Sequence, residues 1–189
     1  MCAVKRLPFV IGFMLAVAAC GGTAERSAAS TTTGTTPSVG QPVTATAQST
    51  QAVVPPEPVP VRDGSCPYLQ TTFVADTNGQ RVSRVRLSAD QPHPACFFYR
   101  GDGGEQLRVQ VLVAVDPAVA KAVVDRTAPV ASSDPATLPG GWQGGKQPTD
   151  TGAVFAVAKA GTAVVVVTNQ KQTIKASRIA EQAITALGL

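Results

Sequence analysis

The chain has few aromatic and few charged residues. Of its 189 residues, 5% are aromatic and 15% are charged. So little charge excludes a charge-driven disordered protein and a coiled coil, because both depend on abundant charged residues. The length fits one domain with additional tails, since the composition changes too much along the chain for a single core to include all of it.

The excess of positive charge is also small. Lys5 and Arg6 supply two of the four net charges, so residues 20–189 carry 4 − 2 = +2. Binding to nucleic acid requires a clustered basic surface that neutralises several phosphates. We therefore expect no nucleic-acid partner.

The chain contains one histidine, so few side chains of this type are available as a catalytic base or a metal ligand. The one histidine, His93, stands between two prolines, and no Gly-x-Ser-x-Gly motif indicates a serine for it to activate. A catalytic zinc site needs three protein ligands. We expect His93 to be a surface or packing residue, and we expect no metal and no cofactor. A serine and a carboxylate brought to His93 by the fold would instead favour a hydrolase.

A nucleotide-binding loop is absent as well. Residues 140–147 match the pattern Gly-x-x-x-x-Gly-Lys, but Gln147 stands where a hydroxyl must bind magnesium, and Pro148 blocks the helix that would follow. The stretch is better interpreted as a glycine-rich loop that presents Trp142, the only tryptophan. Trp142 is expected to cover the core, with contact to a ligand or partner as the alternative.

The N-terminus has the pattern of an export signal. Lys5 and Arg6 precede a charge-free apolar run over residues 7–19, which is too short for the roughly 30 Å hydrocarbon core of a bilayer. The run ends in Val-Ala-Ala-Cys20, which resembles the lipobox of bacterial lipoproteins. We interpret residues 1–19 as a lipoprotein signal peptide and Cys20 as the site of a diacylglyceryl anchor, and the alternatives are a core cysteine or an ordinary cleavage site.

Composition divides the remaining chain into a tether and a domain. Residues 20–63 are rich in Thr, Ser and Pro and cannot bury a core, so they are predicted to be a disordered tether. In residues 64–189, segments whose apolar residues recur at helix or strand spacing are separated by residues typical of turns. These residues are predicted to form one small α+β domain outside the cell.

The predicted fold of this domain is an antiparallel sheet of about five strands with helices packed on one face. Asp116 and Pro117 predict a helix start, the run Val164-Val165-Val166-Val167 suits a central strand, and residues 128–149 are predicted to be an ordered loop. The predicted elements are helices over 67–75 and 117–126 and near the C-terminus, and strands over 81–87, 96–100, 107–115, 153–158 and 162–168.

Two further features are candidate sites. Cys66 and Cys96 form an even pair in an oxidising compartment, which predicts a structural disulfide, whereas their wide spacing suits neither a redox motif nor a metal site. Arg84 and Arg86 lie on one face of a predicted strand. They are expected to be solvated, with contact to an anionic ligand as the alternative.

Three stretches carry a resemblance to a known family: residues 66–69 (CPYL), residues 75–80 (ADTNGQ) and residues 88–100 (SADQPHPACFFYR). With the segment TNQKQTIK at residues 168–175, they resemble a family of uncharacterised actinobacterial lipoproteins with a domain of unknown function. The resemblance covers about residues 64–189 and implies a surface lipoprotein of mycobacterial type. It brings no activity and no catalytic residues.

The sequence therefore predicts a lipid-anchored protein on the outer face of the cytoplasmic membrane, with a domain that binds and does not catalyse. Its partner is expected to be an envelope protein or a small apolar or anionic ligand. A hydrolase that acts on envelope material is the alternative. A deep apolar pocket would favour a small ligand, and a flat patch around Trp142 would favour a protein partner.

Overall fold

A computed structural model describes residues 53–189. The predicted signal peptide, Cys20 and most of the predicted tether lie outside the described residues. None of the helices within residues 53–189 is long and apolar enough to cross a membrane.

The described chain forms eight strands and three helices. In chain order they are β1 (Arg62–Asp63), α1 (Thr71–Asn78), β2 (Arg84–Leu87), β3 (Cys96–Tyr99), β4 (Glu105–Val113), α2 (Pro117–Thr127), β5 (Asp134–Leu138), β6 (Trp142–Pro148), β7 (Ala153–Lys159), β8 (Thr162–Thr168) and α3 (Thr173–Leu187).

All eight strands belong to one antiparallel sheet in the order β1-β2-β3-β4-β8-β7-β6-β5. The prediction of about five strands was wrong. The short strand β1 lies in the predicted tether, and β5 and β6 lie in the stretch predicted to be a loop. That stretch contains Pro135, Gly144 and Gly145, and proline and glycine are rare inside strands. Its composition therefore did not indicate β5 and β6.

The helices cover both faces of the sheet, so the prediction that they share one face was also wrong. Along β7, Phe155 and Val157 pack in a core with α1 and α3, whereas Val154 and Ala156 pack in a second core with α2. We call these two sides the α3 face and the α2 face. Helical periodicity shows which stripe of a helix is buried, but it does not show which face of a sheet receives that stripe.

Local signals predicted several elements correctly. The Asp116 carboxylate accepts a hydrogen bond of 2.8 Å from the Ala118 amide, so it caps α2 as expected, with Pro117 in the first turn. The valine run over 164–167 lies in β8, near the centre of the sheet. The first helix was predicted over 67–75, but α1 begins at Thr71, with Gln70 at its N-cap.

The predicted disulfide is confirmed. Cys66 and Cys96 are joined, with their Cα atoms 5.7 Å apart. Cys96 is fully buried at the start of β3, whereas Cys66 is partly buried and packs against the core of the α3 face. The bond therefore ties the chain before α1 to the sheet.

The first described residues, 53–61, lie against the domain, and we call them the N-terminal arm. Val54 packs against the α2 core, and Arg126 Nη1 donates a hydrogen bond to the Pro55 carbonyl at 2.5 Å. Glu57 pairs with Arg108 at 3.2 Å, and the Val61 amide donates to the Leu87 carbonyl. The folded domain thus begins earlier than the boundary predicted at Gly64.

Candidate functional site

The described residues form a groove on the α2 face, between α2 and the strands β5 and β6. Its volume is about 620 Å³. Helix α2 forms one wall through Ala118 and Val124, Pro135 of β5 lies on the other side, and Gly144 and Ala158 also line the groove. A site of this size with a largely apolar lining suits a small ligand.

Helix α2 borders the groove along the side that faces β5 and β6. Its buried residues pack on β7 and β8, while the N-terminal arm lies along the opposite flank of the helix. At the C-terminal end of α2 the helix is close to β6, since a Cβ at Gly145 would lie 2.9 Å from the Cβ of Ala128. On the flank towards β5, the groove is lined by Pro135 of β5 and by Gln143 and Gly144 of β6.

Two charged side chains and one exposed valine mark the mouth of the groove. Lys121 and Asp125, one helical turn apart on α2, form a short ion pair and are both substantially exposed. Val130, in the loop after α2, is 79% exposed although it is apolar. The groove therefore has an apolar interior and a charged rim.

The hydroxyl proton of Ser133, a polar residue of the lining, is already used by the fold. Its hydroxyl lies 3.2 Å from the Ala128 carbonyl and 2.9 Å from the Pro129 carbonyl, where it closes the end of α2. Its proton is thus directed to the protein backbone and not into the groove.

Trp142 does not reach the surface. Its side chain is 1% exposed in the core of the α3 face, and the Lys159 ammonium lies 5.3 Å from the centre of its ring. Its indole Nε1 has no hydrogen-bond partner among the described residues. The structure therefore places Trp142 in the core, the role expected for it from the sequence, and it presents no flat aromatic patch to a partner.

Arg84 and Arg86, which were expected to be solvated with ligand contact as the alternative, lie far along the sheet from the groove. Arg84 stacks over the ring of Tyr99, with 4.9 Å between the guanidinium carbon and the ring centre. Arg86 pairs with Asp63 of β1 at 3.5 Å. Both belong to β2, near the opposite end of the sheet from β5 and β6, so the structure does not bring them together with either the groove or Trp142.

His93 forms no hydrogen bond with a serine among the described residues. Its ring meets the ring of Tyr68 edge to face, with 6.4 Å between the ring centres, and it forms no hydrogen bond within residues 53–189. The nearby Ser88 hydroxyl donates to Asp90 at 2.8 Å and accepts from the Ala95 amide at 2.7 Å, so it holds its own loop together. No group of three or more potential metal ligands comes together in the described part of the chain.

The Tyr68 hydroxyl is a second buried group beside this loop. It donates to the Pro94 carbonyl at 2.9 Å and lies 3.4 Å from the Val109 carbonyl. Burial raises the pKa of Tyr68 far above its ordinary value, and the charge of Asp90 raises this pKa further. The phenol is therefore a neutral donor at physiological pH.

Sequence reasoning missed both the groove and a buried polar cluster on the α3 face. In that cluster the Asn78 amide nitrogen donates to Gln106 Oε1 at 3.1 Å, and the Lys175 ammonium donates to the Asn78 carbonyl at 2.9 Å. The cluster joins the end of α1 to β4 and α3 and has a structural role. The groove could not have been predicted, because its two walls come from segments whose pairing and face were not known from the sequence.

Comparison with known proteins gives a family but no activity. No curated protein matches the chain. A family model described as a domain of unknown function (DUF2020) matches residues 49–189, which includes the N-terminal arm, all the described strands and helices and the disulfide. The chain therefore belongs to the DUF2020 family.

Proposed function

We propose that this protein is a lipid-anchored lipoprotein of the bacterial cell envelope, of actinobacterial type, and that its DUF2020 domain is a non-catalytic binding module. The α2 groove is its ligand site. One observation carries the binding role: an apolar groove of about 620 Å³ is open at the surface of a domain whose other apolar residues are mostly packed.

The location follows from the N-terminal sequence. Residues 1–19 have the charged, apolar and small-residue regions of a signal peptide, and Cys20 stands where a lipoprotein receives its diacylglyceryl group. The two chains of that group hold a protein at a membrane without a spanning helix. The domain then lies on the outer face of the cytoplasmic membrane.

The chemistry of the described residues favours binding over hydrolysis. A nucleophilic serine needs a base within hydrogen-bond reach. Ser88 directs its proton to Asp90, and His93 contacts Tyr68 instead of a serine. No observation on residues 53–189 favours the hydrolase that the sequence left as an alternative.

Native mass spectrometry tests the proposal on protein isolated from its own envelope. Ala118 is exposed and lines the groove, so Ala118→Phe fills the site without touching the core. Ala89→Phe makes the same change at an exposed position outside it. We expect the wild type and Ala89→Phe to carry a bound ligand that Ala118→Phe lacks. The same ligand on all three proteins, or on none of them, would contradict the proposal.

A further inference from the structure

We propose that the α2 groove binds the acyl chain of a membrane lipid. This inference rests on the proposed function, because it assigns a ligand class to the same groove. Its support comes from the chemistry of the lining, the shape of the site, the charges on its rim and the length of chain that precedes the domain.

The lining is aliphatic. Its apolar members are prolines, alanines and valines, and it contains no aromatic ring on which a planar ligand could stack. Ser133 directs its hydroxyl to backbone carbonyls, while Gln143 is exposed at the edge. The interior therefore offers apolar contact without a pattern of polar groups, and it selects a ligand for its apolar length.

The shape suits an extended ligand. The groove follows α2 from Pro117 to Ala128, a rise of about 16 Å. Ala118 and Ala158 are small, so their side chains occupy little of the space beside the helix, and Val130 adds apolar surface after the end of α2. An acyl chain can lie along this groove with its head group in water.

The rim matches a lipid head group. Lys121 and Asp125 are the charged residues of the lining, and both are exposed. A carboxylate or phosphate can pair with Lys121, and an ammonium group on the same head can pair with Asp125. The head group thus replaces an exposed ion pair, which contributes little to stability by itself.

The chain before the domain keeps the groove near a supply of acyl chains. Residues 21–52 lie between Cys20, the proposed site of the lipid anchor, and the N-terminal arm. The N-terminal arm packs on α2 through Val54, so the described chain begins beside the helix that forms one wall of the groove. The bilayer that holds Cys20 is therefore the nearest reservoir of apolar ligands.

An extended peptide fits less well than a lipid. A peptide beside this groove would add to the edge strand β5 and pair with its backbone. Pro135 lies within that strand and Pro139 follows it, and neither has an amide hydrogen to donate. Prolines on an edge strand oppose such pairing, which leaves the groove itself as the site of contact.

A series of fatty acids tests the assignment. The protein is the whole mature chain with Cys20→Ser, so that it carries no lipid of its own, and the probes are octanoate, decanoate, laurate and myristate below their micellar concentrations. By calorimetry we expect the dissociation constant to fall about fourfold for each added methylene until the groove is full, and then to level off. Absence of binding by every member of the series would overturn the proposal.

Variants inside and outside the groove test where laurate binds. We expect Ala118→Phe to weaken laurate binding at least tenfold, and Ala89→Phe to leave it unchanged. Val130→Glu, at an exposed position on the mouth, should also weaken it, which provides a second test if Ala118→Phe lowers the melting temperature. Equal binding by all four proteins would place laurate elsewhere and overturn the proposal.

Two head groups on the same chain length identify the source of the lipid. Tighter binding of lauroyl lysophosphatidylethanolamine than of laurate assigns the site to phospholipid, and the reverse order assigns it to free fatty acid. If no acyl chain binds but a native ligand is still lost in Ala118→Phe, the acyl assignment is wrong and the binding function stands. If neither acyl chain nor native ligand is found, both are wrong.

Discussion

The Thr168 hydroxyl donates a hydrogen bond of 2.6 Å to Asn78 Oδ1, although the two residues are 90 positions apart in the chain. Both side chains are almost fully buried. The bond joins the end of β8 to the end of α1. It therefore connects the last strand in chain order, which lies near the centre of the sheet, to the first helix in the chain. A buried polar pair of this kind stabilises the fold only while both partners are present.

Thr168→Val should therefore lower the free energy of unfolding by about 1 to 3 kcal/mol, because it leaves Asn78 Oδ1 without this donor. Thr162→Val makes the same change at the start of β8, where the hydroxyl forms no hydrogen bond among the described residues. Urea unfolding of the two variants gives the comparison. Equal midpoints for both would show that the Thr168 bond contributes nothing.

The N-terminal arm supplies a second prediction. Val54 packs against the α2 core, whereas the adjacent Val53 is 86% exposed. Val54→Asp should destabilise the domain by about 1 to 3 kcal/mol, since it brings a charge to an apolar contact, and Val53→Asp should change stability by less than about 0.5 kcal/mol. Thermal unfolding measures both. A neutral Val54→Asp would mean that the arm does not hold to the domain in solution.

Several individual elements could be predicted, whereas the number of strands and the placement of the helices could not, and the missed parts have identifiable causes. The N-cap at Asp116 and the valine run in β8 are local signals, and both are present in the structure as expected. Strand β6 was missed because Gly144 weakens the strand pattern. The structure explains that glycine, since a Cβ there would lie 2.0 Å from the Ala156 carbonyl oxygen on the neighbouring strand.

The candidate site was less predictable than the fold. Trp142 was a candidate because of its glycine-rich setting, but of these glycines only Gly140 and Gly141 lie in the turn between β5 and β6, while Trp142 begins β6 and its indole packs inward. The groove depends on which face of the sheet receives α2. No local pattern in the sequence encodes that choice, because it is made by the packing of residues distant in the chain.

Tyr68 predicts a specific dependence on pH. Its pKa is raised in the folded protein, so above pH 10 the unfolded chain loses a proton that the folded chain keeps. Stability contributed by Tyr68 is therefore present at neutral pH and decreases as the pH rises beyond about 10. Tyr68→Phe should cost about 1 kcal/mol at pH 7, and the difference from the wild type should shrink between pH 10 and pH 11.

Unfolding by urea at these pH values provides the measurement for Tyr68. Tyr99→Phe removes a phenolic hydroxyl from a partly buried position at the end of β3, and it serves as the matched variant in the same measurement. A difference between the wild type and Tyr68→Phe that stays constant up to pH 11 would mean that the phenol is not a protected donor.

The lipid anchor predicts the behaviour of Cys20→Ala. Without the thiol no diacylglyceryl group can be attached, so the protein should leave the membrane fraction or keep its signal peptide. Fractionation with mass spectrometry of the N-terminus distinguishes these forms. Normal removal of residues 1–19 together with unchanged retention at the membrane would contradict lipidation at Cys20.

A crystal structure of the protein isolated from its own envelope tests the central claim most directly. The account predicts elongated electron density on the α2 face, between Ala118 and Pro135, with its polar end near Lys121. Water alone in the groove, or ligand density elsewhere, such as beside Arg84 and Arg86, would contradict it.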